Sequence, residues 1–183
     1  MEMLIGVAIL GIITAATATS VAQVFTGSRS SSNQMTAINN VRNAGDWIVR
    51  DAQQARAKES VIGSGMLTAT APPPDNEIKL IWYNYDPSYP TKKWYRVIYT
   101  IPAGTTDLQR TEDIGTYSNG VFVPTPNTSQ TVIVARNVTS VTRSLDTTNS
   151  INVLTITITA SAGPAASLKT ETRTFEIKLR PQR

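Results

Sequence analysis

An α+β fold, in which one long N-terminal helix packs on an antiparallel β-sheet, follows from three observations. The chain opens on an apolar helix-forming run, an amphipathic helical pattern follows from Thr36 to Lys58, and everything after Ser60 reads as short strands between turn residues. The expected organisation is a hydrophobic helix over residues 1–27, an amphipathic extension over 28–60 and a β-rich globular domain over 61–183.

The opening run is Glu2-Met3-Leu4-Ile5-Gly6-Val7-Ala8-Ile9-Leu10-Gly11-Ile12-Ile13, and no Lys or Arg occurs before Arg29. From Met3 to Phe25 a helix would extend about 35 Å at about 1.5 Å per residue, enough to cross a bilayer core. An isolated carboxylate at the edge of such a segment is costly in hydrocarbon, so Glu2 points to a partner charge or a functional role. The second half, Thr14 to Ala22, is small and weakly polar, and Gly11/Ala15 and Ala18/Ala22 fall at spacings that permit close helix approach. Three readings compete. The segment is a simple transmembrane anchor, a secretory signal peptide cut after Ser20-Val21-Ala22, or a helix that leaves the membrane to join a bundle of identical helices. A signal peptide wants a positively charged leading region, and the leading side chain here is an acid.

The run from Glu2 to Ile13 closely resembles the start of the mature segment in type IV pilins and type II secretion pseudopilins. The resemblance implies a pilin-like fold and an assembly surface made by Glu2, Met3, Leu4, Ile5, Val7, Ile9, Leu10, Gly11, Ile12 and Ile13. It implies that Glu2 pairs with the N-terminal amine of a neighbouring subunit and so fixes its register. Unpaired ammonium and carboxylate are both penalised in a low-dielectric bundle, which favours that pairing. The implied partners are other pilin-like subunits in a homo- or hetero-oligomeric filament, an assembly platform protein and an ATPase. The implied location is the inner membrane before assembly and a periplasmic or extracellular filament afterwards. Leader cleavage and N-methylation, also implied, fall on no residue that this stretch identifies, since only Met1 precedes Glu2.

Gly27-Ser28-Arg29-Ser30-Ser31-Ser32-Asn33 is poor helix material, because Ser and Asn compete for nearby backbone hydrogen bonds; a kink or local melting is expected there. Beyond it, Ile38, Val41, Gly45, Ile48, Ala52 and Ala55 form one apolar stripe, while Arg42, Asp46 and Arg50 lie four apart on another face, with Asp46 and Arg50 in the favourable order for a pair. Trp47 falls roughly 120° from the stripe's centre, at about 100° per residue. A loop folded over it is the plain expectation. An intersubunit anchor is the functional one, since exposed Trp is enriched at binding hot spots.

Five strand-like runs follow: Glu77–Tyr85, Trp94–Ile101, Thr131–Leu145, Ile151–Ala160 and Thr170–Arg180. Phe175, Ile177 and Leu179 alternate with polar neighbours, as do Leu154, Ile156 and Ile158, and Tyr95, Val97, Tyr99 and Ile101. Asp86-Pro87-Ser88-Tyr89-Pro90 and Ala162-Gly163-Pro164-Ala165 read as the turns joining neighbouring strands, and Gly115 to Gln130 reads as a surface loop. Trp94-Tyr95-Arg96-Val97-Ile98-Tyr99, Leu108-Gln109-Arg110, Val134-Ala135-Arg136-Asn137-Val138 and Arg173-Thr174-Phe175 together are similar to minor pseudopilins of the J or W type.

The chain has neither Cys nor His and a formal net charge of +4. Disulfide, thiol and zinc-knuckle chemistry, the commonest general base and the usual serine-hydrolase relay are thereby removed. No catalytic, metal or cofactor site is expected, and the chain is read as non-enzymatic. Asp51 and Glu59, and Asp107, Glu112 and Asp113 in an expected loop, are the only acid groupings, and they lack the alternating ligands of a calcium loop. Lys92, Lys93, Trp94 and Arg96, set among hairpin aromatics, are the candidate ligand contacts for nucleic acid, a surface or an exported protein. Strand packing is the plainer account of those aromatics. Two alternatives to a structural filament subunit stay open: a minor tip subunit using that hairpin or the 115–130 segment, and a β-rich protein released by signal peptidase.

Overall fold

The computed structural model describes residues 2–55, 65–67, 77–84, 93–146 and 152–179. Helix α1 runs unbroken over Glu2–Gln54, a rod of about 80 Å at about 1.5 Å per residue. The strands are β1 (Gly65–Leu67), β2 (Glu77–Asn84), β3 (Lys93–Thr100), β4 (Leu108–Ser118), β5 (Val121–Pro124), β6 (Gln130–Ala135), β7 (Val138–Asp146), β8 (Val153–Ala162) and β9 (Lys169–Lys178). All their pairings are antiparallel. The fold is therefore α+β, as the hydrophobic patterning predicts.

The strands make two sheets where a single one was expected. One has the order β1-β7-β8-β9; in the other, β2-β3-β4 is extended by β5 and β6, which both pair with the far edge of β4. The run expected as one strand from Thr131 to Leu145 is β6 and β7, each in a different sheet. The break falls at Asn137, whose φ of 55° is a left-handed conformation that Asn tolerates better than most residues. The segment expected as a loop from Gly115 to Gln130 contains the end of β4 and all of β5. Asn119 and Gly120, with φ of 52° and 81°, turn the chain between them, the residue pair such a tight hairpin favours. Gly115 is required by this hairpin, because a Cβ there would overlap the Val123 carbonyl and the Phe122 ring.

The helix divides at Asn33. Residues 3 to 29 with known side-chain placement are exposed, whereas Ala37, Val41, Ala44, Gly45, Ile48, Asp51, Ala52 and Ala55 are buried. The buried stripe thus includes Ala37, Ala44 and Asp51, while Ile38 is only partly covered. Its main partners are β8 and β9, with further contacts to β6 and β2. Val41, Ile48 and Ala52 belong to the same core cluster as Leu154, Ile156, Ile158 and Ile177. Each of the Val, Leu and Ile side chains among these stabilises the fold by about 1.5–3 kcal/mol.

No kink or melted turn interrupts the expected weak segment. Asn33 does not compete with its own backbone; its side-chain amide donates to the Ser167 carbonyl at 3.1 Å and to Ser167 Oγ at 3.2 Å. Gln34 donates to Glu171 at 3.4 Å, and Thr36 donates back to the Ser32 carbonyl at 2.9 Å. Ser167 sits in the 3-10 turn Ala165–Ser167, so the connection between the last two strands runs past the expected Ala162–Ala165 turn to Leu168. The Asp86–Pro90 turn, Glu59 and Lys92 lie outside the described residues.

Candidate functional site

Two surfaces draw on the residues singled out in the sequence. The first is the free half of α1. Met3 is 90% exposed and Val7 and Ile12 are each 70% exposed, and Ile5, Ile9, Leu10 and Ile13 are exposed as well. These positions point in every direction around the helix, and a helix apolar all round belongs in lipid or among other helices. By length and composition this is a candidate membrane anchor. Glu2 and Leu4 stand on the first turn, and their side chains lie outside the described residues. Gly6, Gly11 and Gly27 face open space, so the small faces at Gly11/Ala15 and Ala18/Ala22 are unoccupied within the chain.

The weakly polar half carries its own hydrogen-bond partners. Thr14 donates to the Leu10 carbonyl and Thr17 to the Ile13 carbonyl, both at 2.7 Å. Thr19 and Ser20 donate to Ala15 and Ala16 at 2.9 Å, and Thr26 to Ala22 at 2.8 Å. Hydroxyls bonded one turn back leave no donor unsatisfied, so this half tolerates an apolar environment too.

The second surface surrounds Trp47, where the inner face of the β2-β3-β4 sheet meets the end of α1. Asp51, one turn beyond Trp47, is buried. It accepts hydrogen bonds from Arg110 Nε at 2.7 Å and Nη2 at 3.2 Å, and from the Tyr99 hydroxyl. Arg110 Nη1 also pairs with Glu112 at 2.7 Å. Burial alone would lower the Arg110 pKa, but hydrogen bonding and charge from Asp51, with help from Glu112, hold it above its ordinary value. Burial, followed by the neighbouring Asp51 charge, pushes the Tyr99 phenol well above its ordinary 10.0.

Trp47 is 37% exposed. Among the described residues two arginines flank it: the Arg110 and Arg50 guanidiniums lie 5.1 and 5.8 Å from its ring centroid. Arg50 is thus turned to the ring, and Asp46 pairs instead with Arg42 at 3.7 Å. A cleft of about 310 Å³ opens between Trp47, Gln54, Asn84, Tyr95 and Arg110, backed by the stacked Trp82 and Tyr95 rings at 6.0 Å.

Among the described residues, the candidate ligand contacts Lys93, Trp94 and Arg96 do not converge on an open site. Arg96 is committed to Asp113, with Nε and Nη2 at 3.0 and 2.7 Å from Oδ2, and it lies over the Phe122 ring at 4.7 Å. Ser129 donates to the other oxygen of Asp113. Trp94 is half-buried between Tyr117 and Tyr83, with centroids 4.7 and 5.0 Å away. Lys93 is exposed at the start of β3. Glu112 and Asp113, expected in a loop, are strand residues whose charges the adjacent arginines neutralise.

The residues that sequence reasoning missed are Asp51, Tyr99 and Arg110 as one buried group. A signal was present: Asp51 lies three residues after Ile48 on the apolar stripe, where an acid needs a buried partner. Among the described residues no cluster of acids suits a metal ion. Comparison with protein-family models, with curated proteins and with solved structures returned no match.

Proposed function

We propose that this chain is a non-enzymatic structural subunit of a type IV pilus-like filament, most specifically a pseudopilus of the secretion type. One observation carries the reading: a single helix whose first half is apolar and exposed on every side continues without interruption into a half buried by two sheets. A free-standing apolar rod attached rigidly to a folded domain needs an environment outside the chain. Lipid before assembly and a bundle of equivalent helices afterwards supply it in turn. The resemblance of Glu2–Ile13 to the pilin start adds Glu2 as the register-setting acid. Hydroxyls bonded within the helix suit passage between those two surroundings. The tip-ligand reading draws less support, since Asp113 already neutralises Arg96.

Glu2→Ala separates assembly from folding. The variant is expected to insert in the membrane and keep the thermal transition of its globular domain, while its share of sheared or purified filaments falls sharply. Incorporation equal to that of the unaltered chain would refute the role of Glu2. Mass spectrometry of the mature N-terminus provides a second check: a product beginning at Gln23 would remove the filament reading altogether.

A further inference from the structure

We propose that the open edge of β6 is a strand-addition site, taking an extended, uncharged segment of another polypeptide beside the Trp47 ring. β6 is held by β4 on one side, and among the described residues nothing pairs with its other edge. Such an edge presents N–H and C=O groups at alternate positions, a ready template for another strand. Proteins ordinarily blunt these edges with charge or proline. The other long outer strands of this chain follow that rule: β9 carries Lys169, Glu171, Arg173, Glu176 and Lys178, and β2 carries Glu77 and Lys79.

β6 departs from it. No charged residue occurs between Asp113 and Arg136, and Val132 and Ile133 are 46% and 47% exposed. β5 lies on the same side of β4, but Pro124 and Pro126 interrupt its continuation. The ladder is regular from Gln130 to Ile133, with a register shift only towards Ala135. The receptive stretch is therefore short and sharply bounded.

Helix α1 adds selectivity. Val132 stands opposite Arg110 in the ladder, and Arg110 lies against the Trp47 ring. Trp47 is thereby placed over the inner face of the β4–β6 pair. Beside it, Asn43, Asp46, Trp47 and Arg50 frame a hollow of about 220 Å³, room for one large side chain. A strand added to β6 would bond through its backbone, set one side chain against Val132 and Trp47, and set its neighbour against Ile133 on the opposite face. Main-chain bonds supply affinity in such complexes, and pockets for alternate side chains supply specificity. In a second copy, β2 and β9 carry charges and only β6 itself is an uncharged edge; β6-to-β6 pairing is two-fold and closes at a dimer, so within the filament proposed above a different polypeptide fits better.

The test uses the full-length chain in detergent micelles and a short fluorescent peptide of alternating Val and Thr. Fluorescence anisotropy is expected to report saturable binding, and the same peptide N-methylated at alternate residues is expected to bind at least about tenfold more weakly. Ile133→Lys, with an unchanged circular dichroism spectrum and melting temperature, should weaken binding by a similar factor. Equal binding of the methylated peptide, or by Ile133→Lys, overturns the proposal. So does efficient disulfide cross-linking of Ile133→Cys between two copies without peptide, which would assign the edge to self-association.

Discussion

Asp51 is the residue on which the helix and the β2-β3-β4 sheet are fastened. Its carboxylate is buried and has partners from β3 and β4, Tyr99 and Arg110. Removing one member of such a group costs more than removing all, because the survivor stays buried and unpaired. Arg110→Ala is therefore expected to lower unfolding free energy by about 3–5 kcal/mol, read by denaturant titration. Replacing Asp51 and Arg110 together by Leu and Met should recover much of that loss. Tyr99 sets a pH limit. Its folded-state pKa is raised, so its contribution is complete below the ordinary value near 10.0. Above that pH the unfolded chain releases a proton that the folded chain retains, and stability falls as pH rises. Melting temperature should accordingly decline more steeply above about pH 10 in the unaltered chain than in Tyr99→Phe.

Between α1 and β9, the contact depends on a missing side chain. Gly45 lies under the Phe175 ring, and a Cβ there would overlap it. Gly45→Leu should destabilise the domain by about 1–3 kcal/mol, and Phe175→Ala in the same chain should relieve part of the effect; thermal melts of both variants check it. This pairing also marks how far the elements were legible. Gly45 fits the helical stripe and Phe175 the alternation of β9, so both elements could be read from periodicity, as could β2, β3 and β8. β4 could not, because Arg110 and Glu112 face inward there and disguise an inner face as a polar loop. Their alternation carries meaning only once Asp51 is placed opposite. Asn119-Gly120 was a readable turn signal, but β5 is only Val121–Pro124, and the Thr, Pro, Asn and Ser residues beyond it gave the stretch the look of a loop. The continuity of α1 through Ser28–Asn33 was hidden for a similar reason. Asn33 there is engaged by Ser167, a contact 134 positions away in the chain. Alternation and stripes are local properties; partners across the fold are not.

At the scale of the whole molecule, the chain is a domain on a long apolar rod, and a charge on the free half should tell which environment the rod occupies. Ile9→Lys is expected to raise the cost of placing that helix in a membrane by about 2.5–3.5 kcal/mol. The chain should then shift from the membrane fraction to the soluble or degraded one on cell fractionation, while Trp47→Ala, in the buried-half region, should not shift it. The unbroken run of α1 from Glu2 to Gln54 has one more consequence. A rigid helix is also a dial: each residue added to its middle turns everything beyond it by about 100°. One alanine inserted after Gly27, where nothing crowds the helix, would aim the sheets and the β6 edge a quarter-turn or more away from their present bearing relative to Glu2. Seven alanines, close to two whole turns, would bring that bearing nearly back, at the expense of added length.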